Sequence, residues 1–490
     1  MGELRMERWS TRFGFLLATI GSAVGIGNIW RFPSVVGQNG GGAYLVPYLL
    51  AVFGFGLPLM TLELAIGRYL RADVVSAFRR IGSKFHFFGW LVWVIVFYIL
   101  SYYLVITGWT LAYAIASLVG VKILFSSFTS SCQPILYFTA ATVATGLVVS
   151  LGIRGGIERV TSILMPINFI ILGGMTLFST SLSGFTNGLN YFLKPDFTAL
   201  HNPLIWSAAF GQAFFSLSVG FGVLITYGAY LDNDTAIPSS SLIITIADLA
   251  ISILAGIVIF PIVFTFGMEP AIGAELAFST LPRAFEHIPS GRILAGGFFL
   301  LLFFAALTSS VSMMEVNVAA VISSTDLSRR KLTLILTVMV FLLGLPSALS
   351  YSSINLHMFG FRVLDLLDET VGTIGLPINA LLIAVIFTWF LDKRALSSQM
   401  RSSWGDLHPL TVYMITKYVV PAVLIIITVS RLFLGLDFPE WHFLPGIPYI
   451  GSLAQELFTL LLVGLPLTIL ILLIQLDYRY RHHRRLKQFS

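Results

Sequence analysis

The chain has 490 residues, of which 57% are hydrophobic, 14% aromatic and only 11% charged. A soluble protein of this length carries about a quarter charged residues, so these ions are too few to cover a water-exposed surface, and 41 Phe, 17 Tyr and 9 Trp exclude a disordered chain. The 29 Lys and Arg against 23 Asp and Glu leave a net charge of +6, and the single cysteine, Cys132, excludes an internal disulfide and any site built from several cysteines.

Apolar stretches of roughly 20 residues, the length that crosses a bilayer, recur along the chain. They are predicted at 13–37, 42–67, 88–119, 134–152, 158–181, 205–231, 237–267, 291–323, 331–349, 361–391, 410–434 and 448–476. Twelve spans place both termini on one side. Cations gather in cytoplasmic loops, and the segments 5–12, 68–84, 154–159, 329–331, 393–401 and 479–487, all on one predicted face, hold 21 of the 29. The basic balance is therefore an orientation signal, with N- and C-termini cytoplasmic in a multi-pass cell-membrane protein, and it argues for no nucleic acid partner. No cleavable signal peptide is expected, because the apolar run after Trp9-Ser10-Thr11-Arg12 continues without a cleavage site as far as Arg31.

Two spans contain the residues that interrupt helices. The first reads Gly21-Ser22-Ala23-Val24-Gly25-Ile26-Gly27-Asn28 and the sixth reads Ser216-Leu217-Ser218-Val219-Gly220-Phe221-Gly222. Both carry Val-Gly-x-Gly at a matching depth, five spans apart. An odd separation inverts the second unit relative to the first, the pattern of an inverted-repeat secondary transporter whose site lies where two helices break near the midplane. A lone Gly-x-Gly would only indicate close helix packing. A dinucleotide fingerprint is excluded, because Trp30 stands where a third glycine is required. Carbonyls freed at a half-helix C-terminus suit a cation and N–H groups freed at an N-terminus suit a carboxylate.

At this point the residues become recognisable. Gly25-Ile26-Gly27-Asn28-Ile29-Trp30-Arg31-Phe32-Pro33, Gln38-Asn39-Gly40-Gly41-Gly42-Ala43 and Glu63-Leu64-Ala65-Ile66-Gly67-Arg68 resemble the first two helices of the neurotransmitter:sodium symporter family, which has the LeuT fold. Gly108-Trp109-Thr110-Leu111, Gly211 to Ser218 and Leu307-Thr308-Ser309-Ser310 extend the resemblance over spans 1 to 10. It implies an all-α membrane protein of twelve transmembrane helices in a 5+5 inverted repeat, with helices 1 and 6 unwound at the midplane. Residues 1–181 form the first repeat, 182–392 the second, and 393–490 the last two spans with a basic tail.

The resemblance also implies roles. A first sodium site is expected from carbonyls of Ala23 and Ser216, the Ser216 hydroxyl, the Asn28 amide and Asp248, with the substrate carboxylate completing it. A second is expected from carbonyls of Gly21, Val24 and Ala305 and hydroxyls of Thr308 and Ser309. These hard oxygen ligands suit an alkali cation, and no organic cofactor is expected. Monoamine-carrying relatives place an Asp where Gly25 stands here, so the substrate should bring its own carboxylate, to be met by the Tyr103 hydroxyl and the Gly27 N–H. Ser22, Ile99, Phe215, Ser218, Phe221, Ser310 and Met313 would line the side-chain pocket, whose mostly apolar character predicts a neutral, hydrophobic amino acid. Arg31 and Asp368 would close over it as an outer-gate ion pair with Phe221 as lid, and Glu63 would brace the broken segments.

The sequence departs from the family in two places. Asp248 stands where an Asn is usual, beside Tyr48, Gln212, Ser216 and Ser252, the positions that hold chloride in other members; its charge supports chloride-independent, sodium-coupled uptake by alternating access. The inner-gate Arg and Asp are replaced by Met6 and Ser323, with Arg5 or Arg8 and Asp326 as substitutes the sequence does not establish. A symporter for another small zwitterion and an amino acid sensor that does not transport share this site pattern. A membrane enzyme is not expected, since the eight His are scattered and form no catalytic motif. Nothing in the sequence distinguishes a monomer from a dimer.

Overall fold

The computed structural model of the chain describes residues 7–195, 197–201, 203–268, 276–288, 290–325, 327–400 and 409–433. Among these are nine helices long and apolar enough to cross a membrane: Gly42–Leu70, Ser83–Val119, Gln133–Ser150, Ile153–Ser179, Ile237–Thr265, Gly291–Ile322, Arg329–Ser350, Val363–Phe390 and Pro409–Val429. A tenth is formed if Arg12–Ala23 and Gly27–Gln38, which meet at 51°, count as one bent span. The stretch predicted as a sixth span is two shorter helices, Pro203–Ser216 and Val223–Ala229. The predicted span 448–476, the basic tail, Arg5, Met6 and Asp326 lie outside the described residues.

Side-chain polarity is reversed relative to a water-soluble bundle. Long apolar side chains such as Ile170, Leu177, Ile293 and Ile426 are exposed on the outside, whereas Asn28, Glu63, Asp248 and Glu315 are completely buried. Such a surface is matched to lipid, and the buried polar groups must find partners inside the protein.

The two longest helices, His86–Val119 and Gly291–Ile322, pack along one another and form one wall of the interior. The short helix Val223–Ala229 lies against Leu57–Leu70 with almost no side chain between the backbones. A Cβ on Gly67 would stand 1.9 Å from the Ile225 carbonyl oxygen, and one on Gly228 would stand 2.5 Å from that of Leu64. Small residues allow this approach, and it anchors the piece following the second break to the helix that carries Glu63. A two-stranded hairpin, His357–Met358 with Phe361–Arg362, precedes the Val363–Phe390 span.

Candidate functional site

The first helix stops at Ala23, where Val24 turns to an extended conformation (ψ 111°), and helical turns resume at Gly27. Side chains occupy the backbone groups left over. Gly25 N–H donates to Asn28 Oδ1 (3.0 Å), Ile26 N–H to the Tyr103 hydroxyl (3.2 Å), and Gln212 Nε2 donates to the Gly27 carbonyl (2.8 Å). Residues 217–222 likewise lie outside helix. Ser218, Gly220 and Gly222 take left-handed backbone angles there (φ 53°, 83° and 71°). Gly220 is required twice over: L side chains disfavour its φ, and a Cβ would stand 2.8 Å from the Leu376 carbonyl oxygen. Its N–H donates to Glu63 Oε1 at 2.8 Å, so a fully buried carboxylate holds the second break. The breaks are joined to each other, Ser218 Oγ donating to the Ser22 carbonyl at 2.9 Å.

Two groups of oxygens flank these breaks. In one, Asn28 Nδ2 donates to Ser216 Oγ (2.8 Å), Asp248 Oδ1 (2.7 Å) and Ser252 Oγ (2.9 Å), and Ser216 donates to Asp248 Oδ2 (2.7 Å). Asp248 is fully buried, and no cationic side chain among the described residues pairs with it. Ala23 lines the pocket beside Asn28 and Ser216. In the other group, Ser309 Oγ lies 3.3 Å from the Gly21 carbonyl oxygen, 3.2 Å from those of Ser22 and Val24, and 3.1 Å from that of Ala305. Thr308 Oγ1 donates to the Ala305 carbonyl at 3.0 Å. The Ser22 carbonyl is an addition to the expected set. Clustered carbonyl and hydroxyl oxygens of this kind are chemically suited to a hard monovalent cation.

Between the breaks lies a pocket. Ser22, Gly25, Gly27, Ser218 and Tyr103 form its polar side, and Ile99, Phe215, Phe221 and Met313 its apolar side. The rings of Phe215 and Phe221 meet edge to face, 6.0 Å between centroids. Gly25 and Gly27 face it without side chains of necessity: a Cβ on Gly25 would stand 2.7 Å from the Tyr103 hydroxyl, and one on Gly27 would stand 2.9 Å from the Phe215 ring. Ser310, expected in this lining, is not brought to it; its hydroxyl donates to the Ala306 carbonyl (2.9 Å) and lies 3.3 Å from Thr107 Oγ1. Ser309 and Ser312 take its place, because residues 309, 312 and 313 share one face of the helix and residue 310 lies about 100° round it.

The end of the pocket where the outer gate is expected departs from the expected ion pair. Among the described residues Arg31 and Asp368 are not paired: Asp368 Oδ1 accepts from the Tyr102 hydroxyl (2.9 Å), while the Arg31 guanidinium lies over the Phe215 ring (4.7 Å) and bonds Thr373 Oγ1 (3.5 Å). Each has found a local partner instead, a hydroxyl for the carboxylate and an aromatic face for the cation.

At the opposite end the chain start is fastened by contacts that spacing along the sequence does not reveal. Trp9 is buried, and its indole N–H donates to the Tyr227 carbonyl at 3.1 Å. Arg8 pairs with Asp232 (3.2 Å), and Arg329 bridges Glu7 (3.3 Å) to the fully buried Glu315, which also accepts from the Tyr230 hydroxyl (2.8 Å). Ser323 contacts the Ser76 hydroxyl at 3.1 Å.

Over most of its length the chain is similar to known sodium-dependent transporters. The chain is 36% identical over 447 residues to an uncharacterized sodium-dependent transporter of Bacillus subtilis (strain 168), covering 87% of this chain and 98% of that one. It is 34% identical over 451 residues to an uncharacterized sodium-dependent transporter of Haemophilus influenzae, with the same 87% and 98% coverage. The crystal structure of MhsT in complex with L-phenylalanine, which has the LeuT fold, superposes with a TM-score of 0.80 at 35% identity, covering 87% of this chain and 99% of that chain. The sequence profile of the Sodium:neurotransmitter symporter family matches residues 6–132 and 120–474. Members of that family are transporters and not enzymes, multi-pass in the membrane and dependent on sodium. With nearly the whole length matched, the chain belongs to the Sodium:neurotransmitter symporter family.

Proposed function

We propose that this protein is a sodium-coupled symporter that imports a neutral, hydrophobic amino acid by alternating access and does so without chloride. The architecture is twelve transmembrane helices in a 5+5 inverted repeat (1–181 and 182–392, with 393–490 appended), helices 1 and 6 being unwound at the midplane and both termini cytoplasmic. The meeting of Glu7, Arg8, Arg154 and Arg329 at one end of the bundle supports that orientation, since basic loops stay inside.

The observation that carries the reading is the junction of the two breaks with Asp248. Asn28, Ser216 and Asp248 are tied together by bonds of 2.7–2.8 Å beside a pocket walled by Ile99, Phe215, Phe221 and Met313. One sodium ion is held by Ala23, Asn28, Ser216, Asp248 and the substrate carboxylate. The second is held by Gly21, Val24, Ala305, Thr308 and Ser309. The substrate carboxylate also meets Tyr103 and Gly27, and its ammonium lies near Ser22 and Ser218. The buried charge of Asp248 serves where chloride serves in other members, so no anion need bind beside Tyr48, Gln212 and Ser252. Arg31 and Asp368 close the outer side in another state of the cycle, when the substrate draws Phe221 over the pocket. The Arg329 bridge to Glu7 and Glu315 holds the inner side shut and takes over from the pair missing at Met6 and Ser323.

A binding screen of the twenty amino acids against the purified full-length protein, in sodium or potassium gluconate, tests this reading. Sodium-dependent binding confined to neutral, apolar side chains is expected. Sodium-independent binding, or preference for a charged amino acid, would overturn it.

A further inference from the structure

The hairpin that joins Arg329–Ser350 to Val363–Phe390 is apolar where a loop in water is polar. Every residue from Ser353 to Gly360 is exposed, and four of these eight are large and apolar: Ile354, Leu356, Met358 and Phe359, the last 75% exposed. Phe359 and Gly360 make the turn, both with left-handed backbone angles (φ 55° and 86°). A two-residue turn with both angles positive prefers Asn, Asp or Gly, and an aromatic residue there is strained. Such strain is kept where the side chain serves a contact outside its own loop.

The height of the hairpin says what that contact is. Arg329–Ser350 has 22 residues, about 33 Å of helix, close to the roughly 30 Å of hydrocarbon in a bilayer. Arg329 lies at the end of the bundle where it meets Glu7, so Ser350 reaches the opposite boundary. There Leu356 N–H donates to the Leu349 carbonyl (3.4 Å) and Leu364 N–H to Ser350 Oγ (3.4 Å), which pins the hairpin at headgroup level. Nearer the middle of the same span Leu334, Val338 and Leu342 face outward, part of the apolar surface matched to lipid. The two strands pair His357 with Arg362 and Met358 with Phe361, so two basic side chains stand opposite one another. Neither is ion-paired among the described residues; Arg362 lies over the Tyr351 ring (4.3 Å), whose hydroxyl donates to Asp365 (2.8 Å). Like charges facing across a ladder are unfavourable, and an anionic phosphate between them relieves this.

We propose that this hairpin is a membrane anchor: Met358 and Phe359 enter the acyl boundary of the bilayer, and His357 and Arg362 meet lipid phosphates. Apolar and aromatic groups beside basic ones are the composition of an interfacial segment. A second copy of the chain is a poorer occupant, because four side chains on a two-stranded hairpin fall far short of the roughly 20–30 residues a side of a stable interface. The hairpin leads straight into Val363–Leu367 and Asp368–Gly375, so the anchor fixes to the membrane the start of the segment that carries Asp368 and Thr373.

Spin-label accessibility tests this on the full-length chain in liposomes of phosphatidylcholine and phosphatidylglycerol. With the single cysteine, Cys132, replaced by serine, a nitroxide at Met358→Cys is compared with labels at Leu342→Cys, on the lipid-facing surface, and Lys122→Cys, in an exposed ion pair. Oxygen concentrates in hydrocarbon and a nickel chelate stays in water, so the ratio of their collision rates reports depth. The Met358→Cys ratio is expected to lie several-fold above that at Lys122→Cys and closer to that at Leu342→Cys. Phe359→Asn suits the turn and removes the ring; it should bring the ratio down to the Lys122→Cys value without lowering the unfolding temperature, which shows the variant folded. A ratio equal to that of Lys122→Cys with Phe359 in place overturns the proposal, as does a lipid-like ratio that Phe359→Asn leaves untouched. A label that neither reagent reaches, or one broadened by a second label nearby, assigns the hairpin to a protein contact and overturns it too.

Discussion

Asp248→Asn separates charge from shape at the proposed first sodium site. The native carboxylate is fully buried, Oδ1 taken by Asn28 Nδ2 and Oδ2 by the Ser216 hydroxyl, both at 2.7 Å. Asparagine keeps the volume and can still present Oδ1 to Asn28. Ser216 loses its acceptor and must turn its proton elsewhere, a loss of about 1 kcal/mol. The charge is the larger effect. A sodium ion about 4 Å from a carboxylate, in surroundings of effective dielectric about 20, is held by about 4 kcal/mol, roughly a thousandfold in affinity. Sodium titrations of amino acid binding, run in gluconate and in chloride, measure this directly. The variant should need roughly a hundred to a thousand times more sodium in gluconate and should recover in part when chloride supplies the missing negative charge, while the wild type should not respond to chloride. A variant with wild-type sodium affinity in gluconate would refute the role given to this carboxylate.

Ser309→Ala removes the hydroxyl surrounded by the Gly21, Ser22, Val24 and Ala305 carbonyls; the sodium dependence of uptake should fall from a Hill coefficient of about two to about one. Arg329→Ala leaves Glu315 buried without its cation and should destabilise the detergent-solubilised protein by about 3–5 kcal/mol, whereas Glu7→Gln removes a 40%-exposed partner and should cost less than about 1 kcal/mol. Thermal unfolding that ranks the two equally would contradict the bridge as drawn. Gly220→Ala combines a left-handed φ of 83° with the Leu376 contact at 2.8 Å, while Gly360→Ala has a φ of 86° and nothing within 4 Å; only the first should lose substrate binding, and its unfolding temperature should fall further. Glu63→Ala strands the Gly220 N–H at a cost of about 1–3 kcal/mol, and Glu63→Gln, which retains an acceptor, should restore most of the lost unfolding temperature.

Features written into local chemistry were legible in the sequence. Glycines occur in unbroken helix too, as at Gly173 and Gly174, and it is the repetition of Val-Gly-x-Gly at matching depth in two spans that allowed the interruptions at 24–26 and 217–222 to be placed. Features set by rotation or by contact between distant segments were not. Ser310 and Ser312 are equally polar, and the helix register that turns Ser312 to the pocket and Ser310 toward Thr107 depends on how Gly291–Ile322 packs against His86–Val119. The Arg31 and Asp368 expectation is not met as an ion pair in this structure, where Asp368 accepts from Tyr102 and Arg31 lies over Phe215; which of several nearby partners a charged side chain takes is set by packing between distant segments and not by sequence spacing. The bridge from Glu7 through Arg329 to Glu315 joins residues 322 and 14 positions apart. Sequence does carry one signal for it: Glu315 is an acid within an apolar span, and such a residue calls for a partner.

The central claim is that an inward sodium gradient drives amino acid accumulation through this protein. Reconstituted into liposomes, the full-length chain should concentrate a labelled neutral, hydrophobic amino acid above its external level when external sodium gluconate faces internal potassium gluconate. It should release the label when a sodium ionophore collapses the gradient. Sodium-dependent binding with no accumulation beyond the external level would contradict the account and leave a sensor in its place.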